Sequence, residues 1–276
     1  MKPRVIVLGE KPQGVSWLKM LFHSNLFGIV GGVPRYGYRN AWWDSDEFEF
    51  LLRHYDIPVL KREELKKIDY DIIWSLMYGY IIEPELIRKA KWFGINLHES
   101  PLPHYRGCNG CSHAILEDSP TYGTTLQLLG EELDSGSIID QEIFPIYQDE
   151  TARELYERTK MVSDIVFRRN LEKISKGDLK AIPISVENES IKKRSSLALM
   201  KDLSKVADIR KHARALDFVP FEPGYIIDNR KKRYAFIGGS YGRLWHSGIV
   251  ESKGKPLILL DEETYRTTYP IFIPKI

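Results

Sequence analysis

Short apolar runs alternate with longer segments of helical period through the first two-thirds of the chain. Arg4 to Leu8 is an apolar run followed by Gly9, Pro12 and Gly14. A segment with Val15, Leu18 and Phe22 on one face comes next, so the opening reads as strand, turn and helix. Ile29 to Val33 and Ile57 to Leu60 read as further strands, with a helix from about Ser45 to Tyr55 between them. Asp71 to Ser75 is a buried strand, and Glu83 to Ala90 a short helix whose Pro84 suits a first turn. Phe93 to Leu97 follows as another strand.

Alternation of this kind predicts an α/β fold, a mostly parallel Rossmann-like sheet with helices on both faces. The rhythm then changes. Tyr122 to Leu129 and Ser137 to Ile146 read as strands joined by a loop from Gly130 to Gly136. Thr151-x-x-Glu154 has the form of a capping box and opens a helix to about Lys176, ended by Gly177-Asp178. Beyond a polar stretch, Ser204 is a candidate N-cap for a helix to Leu216. Short β-like runs with turns at Gly238-Gly239, Gly242 and Gly248 complete the chain. A catalytic domain over residues 1–185 and a small strand-rich C-terminal region over 186–276 are expected.

Composition narrows the function classes. With 43% hydrophobic residues in 276, a sizeable core is available. A net charge of +2 gives no field that would favour nucleic acid. No apolar run reaches the length of about eighteen residues needed to span a bilayer. The charged lead Met1-Lys-Pro-Arg4 is unlike a signal peptide, so a cytoplasmic chain without a membrane partner is expected. Cys108 and Cys111 form a Cys-x-x-Cys, a spacing used in redox motifs and zinc sites. One such pair cannot close a tetrahedral metal site, so two reduced thiols and no metal are expected. The first turn, Gly9-Glu-Lys-Pro-Gln-Gly14, lacks the G-x-G-x-x-G spacing of dinucleotide-binding folds.

The chemistry concentrates in Phe93-Gly-Ile-Asn-Leu-His-Glu-Ser-Pro-Leu-Pro-His-Tyr-Arg-Gly-Cys-Asn109 and in Leu133-Asp-Ser-Gly136. Asn96 and His98 lie two apart at the end of a predicted strand, so their side chains share a face. Strand C-termini are where open α/β sheets bind ligands. Each residue alone has a plainer reading: His98 as a satisfied core histidine, Asn96 as a cap, Asp134 as a turn aspartate. Their combination with the two prolines and Tyr-Arg-Gly outweighs it.

Asn96-x-His98, followed by Ser-Pro-Leu-Pro-x-Tyr-Arg-Gly and later Leu-Asp-Ser-Gly, resembles the formyltransferases that use N10-formyltetrahydrofolate. Within them, Tyr-Arg-Gly-Cys-Asn109, Trp42-Trp43 and Arg214-Ala-Leu-Asp-Phe-Val-Pro-Phe221 are most similar to enzymes that formylate a nucleotide-linked amino sugar. The resemblance implies a catalytic set of Asn96, His98 and Asp134. It implies N10-formyltetrahydrofolate as donor, held by Leu76, Met77, Tyr80, Ile81, Ile82, Ser100, Pro101, Leu102, Pro103 and Leu133. It implies an acceptor near Gln13, Trp42, His104, Tyr105, Arg106, Gly107, Asn109, Phe221 and Tyr225. The implied acceptor is a dTDP-linked 3- or 4-amino-dideoxy sugar, and the implied assembly a homodimer. Methionyl-tRNA formyltransferase and formyltetrahydrofolate hydrolase are the competing activities, together with a catalytically silent binding module.

Overall fold

A computed structural model describes residues 1–35, 46–218, 221–229, 231–237, 249–250 and 255–268. The first strand, β1 (Arg4–Gly9), leads into helix α1 (Lys11–Ser24), then β2 (Gly28–Pro34) and α2 (Glu47–His54). A 3-10 turn at Arg62–Lys67 precedes β3 (Ile72–Leu76), α3 (Pro84–Lys89) and β4 (Phe93–His98). After α4 (Gly110–Leu116) come β5 (Thr121–Leu128), β6 (Ile138–Pro145) and the long helix α5 (Ala152–Ser175). The remainder holds α6 (Arg194–Ala198), α7 (Ile209–Leu216), β7 (Tyr225–Asp228), β8 (Lys231–Ile237), β9 (Ile249–Val250), β10 (Leu257–Asp261) and α8 (Glu262–Thr268).

Six strands form one sheet in the order β2-β1-β3-β4-β5-β6. β2, β1, β3 and β4 pair in parallel, and β5 runs antiparallel to β4. Its central strands β1 and β3 are buried on both faces, as their unbroken apolar runs require. Val5 and Val7 pack in one cluster with Trp17 and Leu18 of α1 and Phe167 of α5. Their neighbours Ile6 and Leu8 point the other way, into a cluster with Leu65, Tyr70 and Leu86. A second sheet, β7-β8-β10-β9, is antiparallel and follows α7 in the chain, the strand-rich tail expected from the sequence.

Two compact units are interleaved along the chain. One comprises Met1–His104, Gly123–Glu142 and Lys160–Glu189, the other Tyr105–Tyr122, Ile143–Thr159 and Ser190–Ile276. Sequence pattern alone suggests a single cut at 185. The second unit also draws in α4 and the first turns of α5 because Tyr105, Ala114, Ile115, Tyr122 and Leu155 share a buried cluster with Ala215 of α7.

Three expectations are corrected. Ile57–Leu60 is not a strand: Pro58 has no N–H for a ladder, and only an isolated bridge joins Val59 to Gly32. Phe22 is 38% exposed, because Trp17, Leu18 and Leu21 fill the inward face of α1 and leave it stacked on Tyr55. Ser204 caps nothing in α7, which starts at Ile209, where the Asp208 carboxylate accepts from the Lys211 N–H. The capping box before α5 is present, with the Thr151 N–H donating to Glu154 at 2.9 Å and the Glu154 N–H to Thr151 Oγ1 at 3.2 Å. Neither cysteine is in a disulfide; Cys108 is exposed and Cys111 buried. Among the described residues no helix is long and apolar enough to cross a membrane.

Candidate active site

The site is assembled on β4 because its residues alternate in character. Ile95 and Leu97 are buried in the core beneath the sheet, so the intervening Asn96 and His98 must face the opposite side. There both are only partly buried. Antiparallel pairing sets Gln127 of β5 opposite Asn96, and Thr125 opposite His98. Directly opposed residues share a face. The C-terminal half of β4 and the facing part of β5 therefore present four polar side chains together.

Asp134 reaches this group from the loop between β5 and β6. Its Oδ1 lies 3.5 Å from His98 Nδ1, with the side chains 8% and 15% exposed respectively. It is also 3.4 Å from Nε2 of Gln127. The Asp134 backbone has φ +51°, a left-handed conformation that aspartate tolerates better than most residues. Gly136 permits the tight return, since a Cβ there would overlap the Leu128 carbonyl. His98 is itself pinned: Thr124 Oγ1 donates to its carbonyl at 3.1 Å, and Ser163 Oγ of α5 donates to that threonine at 2.8 Å.

The segment following β4 is held by polar groups on β5 and β6. The Leu102 N–H donates to Thr125 Oγ1 at 3.0 Å, and that hydroxyl donates to the Ser100 carbonyl at 2.7 Å. Gln141 Nε2 donates to the Leu102 carbonyl at 2.8 Å. Ser100 Oγ donates to the His104 carbonyl at 3.0 Å, closing the turn through Pro101 and Pro103. With Ser100, Pro101 and Leu102 buried, this segment offers a ligand its backbone rather than its side chains.

The residues tied to the donor divide in two. Leu76 and Ile82 belong to the core clusters. Met77, Tyr80, Ile81 and Leu133 retain exposure. Met77 has φ +61°, a strained value for an unbranched apolar residue directly after β3. The loop is braced by Arg35, whose guanidinium lies 4.2 Å from the Tyr80 ring centre, and by Arg62, which donates to the Ile81 carbonyl.

Several residues assigned to the acceptor also have structural roles. Gln13 is 4% exposed and donates to the Asp164 carboxylate, which also accepts from Trp17 Nε1 at 2.8 Å. Burial pushes Asp164 up, more than these donors and Arg168 and Lys160 bring it down. In the second unit, Tyr105 is a core residue against Tyr122. Gly107 has φ +96° and approaches Lys192 so closely that a Cβ would lie 2.5 Å from its carbonyl. Arg106 is buried, and its carbonyl accepts from the Lys192 N–H at 2.7 Å. Asn109 has a left-handed backbone before α4, and its Oδ1 is buried without a partner. Phe221 packs on Phe218, and Tyr225 carries Lys232 over its ring at 4.2 Å. His104, in the first unit, is exposed and pairs with Glu189 at 2.7 Å. Trp42 and Trp43 lie outside the described residues.

Thr124, Thr125, Gln127 and Gln141 do not stand out in the sequence. Their signal is polar side chains in strands of an otherwise apolar sheet, each needing a partner when buried. Among the described residues, no group of His, Cys, Asp and Glu is arranged to hold a metal ion.

Residues 60–171 match the formyl transferase family. A methionyl-tRNA formyltransferase of Fusobacterium nucleatum is 34% identical over 119 residues, 43% of this chain but only 38% of that protein. WlaRD, a sugar 3N-formyl transferase solved in the presence of dTDP and 5-N-formyl-THF, superposes with a TM-score of 0.71 at 22% identity. The overlap covers 94% of this chain and 98% of that one. An N-formyltransferase from Helicobacter canadensis, solved with folinic acid and dTDP-3-aminofucose, also gives a TM-score of 0.71 at 22% identity. It covers 95% of this chain and the whole of its own. These likenesses establish a shared fold.

Proposed function

We propose, from the match of residues 60–171 to the formyl transferase family, that the chain transfers a formyl group from N10-formyltetrahydrofolate to the primary amine of a nucleotide-linked amino sugar. The observation that carries this reading is the approach of Asp134 to His98 at 3.5 Å beside Asn96 on the same strand face. A neutral amine attacks the formyl carbon, and the oxygen of the tetrahedral intermediate takes the negative charge. The Asn96 amide donates to that oxygen, an interaction worth about 10²–10³ in rate for donors of this kind. His98 accepts the proton leaving the amine, with Asp134 orienting the ring. The intermediate then expels N10 of tetrahydrofolate, which takes a proton as it leaves.

The donor lies along Met77, Tyr80, Ile81 and Leu133 and against the backbone of Ser100–Pro103. A dTDP-linked 3- or 4-amino-dideoxy sugar is the favoured acceptor; Arg106 and Asn109 would hold its polar groups, and the aromatic residues Phe221 and Tyr225 its base. A cytoplasmic homodimer joined through the C-terminal region completes the reading. The sugar enzymes match over 94% and 95% of this chain by structure, and a methionyl-tRNA formyltransferase of Coxiella burnetii matches over 95% of it by sequence at 22% identity, so the choice of acceptor belongs to the test that follows.

The test is formyl incorporation, followed by mass spectrometry, across dTDP-, UDP- and GDP-linked amino sugars, with initiator methionyl-tRNA as competing acceptor. Tetrahydrofolate release should require an amino sugar and fall by at least about 10³ in His98→Ala. Release without an amine would establish a hydrolase, and formylation of the tRNA alone would refute the sugar reading.

A further inference from the structure

We infer that Gln127 is a positioning residue whose amide holds the Asp134 carboxylate in place against His98. The inference rests on the formyl-transfer reading for the chemistry it serves.

Gln127 is 1% exposed on a strand whose next residue inward, Leu126, lies fully in the core. Its Oε1 is buried with no hydrogen-bond partner. An unsatisfied buried carbonyl costs about 1–3 kcal/mol, so an apolar side chain of similar volume would suit folding better. What the amide supplies is its other end. Nε2 lies 3.4 Å from Asp134 Oδ1, the same oxygen that faces His98 Nδ1 at 3.5 Å. The orientation follows from the chemistry, because only the NH2 group can donate and the carbonyl would repel a carboxylate. Both distances are long, as is common before a substrate draws such groups together.

Asp134 sits in a loop with a left-handed backbone rather than on a strand or helix. Gln127, by contrast, is fixed in register opposite Asn96. The amide therefore transmits the rigid geometry of the β4–β5 ladder to a carboxylate carried on a turn.

The experiment compares the full chain with Gln127→Leu and Gln127→Glu. In the Gln127→Leu variant the melting temperature should equal or exceed that of the parent, while kcat falls. A displacement of about 1 Å at the carboxylate supports a loss approaching 10²-fold, with KM for donor and acceptor held within about twofold. A crystal structure of this variant should show Asp134 turned away from His98. Gln127→Glu keeps the shape and replaces the N–H donor. Its activity relative to the parent should be lowest near pH 8 and recover toward pH 6, as protonation lets the introduced carboxyl donate to Asp134. Should Gln127→Leu fail to fold, the pH dependence of Gln127→Glu decides alone. Asp134 remaining beside His98 in the Gln127→Leu structure, or a flat Gln127→Glu ratio across that range, would overturn the inference. A parent with no formyl transfer would refute the function instead, and the crystal structure would still decide the role of Gln127.

Discussion

At the scale of single residues, β4 separates side chains that fold the sheet from side chains that do chemistry by simple alternation. Ile95 and Leu97 go to the core, and Asn96 and His98 to the face where Asp134 arrives. That part of the site was legible, since a period of two and the end of a parallel strand follow from sequence. Asn96→Ala is accordingly expected to lower kcat by about 10²–10³ with the melting temperature preserved, measured by single-turnover formyl transfer and thermal unfolding. The cysteines make the opposite case. In the proposed reaction the amine is the nucleophile, and Cys108 is an exposed free thiol. Cys108→Ser should retain most of the parental rate, and a collapse to the level of His98→Ala would reveal thiol chemistry. The acceptor residues were less legible. Gly107 and Tyr105 belong to a motif, and each also has a structural role, a close approach to Lys192 and a place in the core. Sequence spacing carries no information on either.

Among the elements, strands and long helices were read closely because burial on both faces and helical caps leave strong patterns. The short helices α4, α6 and α8 escape such a reading; with five to seven residues each, they complete too few turns to show a period. Ile57–Leu60 failed for a different reason, since its apolar run satisfies burial while Pro58 withholds a hydrogen bond. The connection between β3 and α3 carries a testable linkage. The Tyr70 hydroxyl, just before β3, donates to the Leu86 carbonyl of α3 at 2.8 Å. Burial pushes this phenol up to about 12. Its pKa is raised on folding, so the contribution to stability is complete below the unfolded value of about 10. Between there and the folded value the unfolded chain gives up the proton first, and stability falls as pH rises. Urea unfolding at about pH 9 and pH 11.5 should show this decline, and Tyr70→Phe should make it shallower. The same variant should lose about 1 kcal/mol at neutral pH as the Leu86 carbonyl loses its donor. An unchanged slope would show that Tyr70 ionises alike in both states.

For the molecule as a whole, chain order and compactness disagree, and that disagreement predicts how the protein tolerates being cut. Hydrophobic rhythm changes once, near residue 185, and invites a division there. Yet the second unit takes Tyr105–Tyr122 and Ile143–Thr159 from the earlier part of the chain. Its buried cluster joins Cys111, Ala114 and Ile115 of α4 and Leu155 of α5 to Ala215 of α7. Sequence could not reveal this, because α4 is short and its apolar residues resemble those of any buried turn. Hydrogen bonds repeat the pattern: the Arg153 N–H donates to the Asp217 carbonyl at 3.1 Å, and Lys192 pairs with Glu117 at 2.6 Å. A fragment ending at 185 would keep the Asn96, His98 and Asp134 positions but leave α4 and the start of α5 without their covering residues. Exposed apolar surface of this kind carries about 25 cal/mol per Å² of lost burial. The fragment should therefore bind a hydrophobic dye, unfold at lower temperature and associate, with formyl transfer at least about tenfold reduced. A fragment as stable and monodisperse as the full chain would instead mean that the first 185 residues fold independently of the C-terminal region.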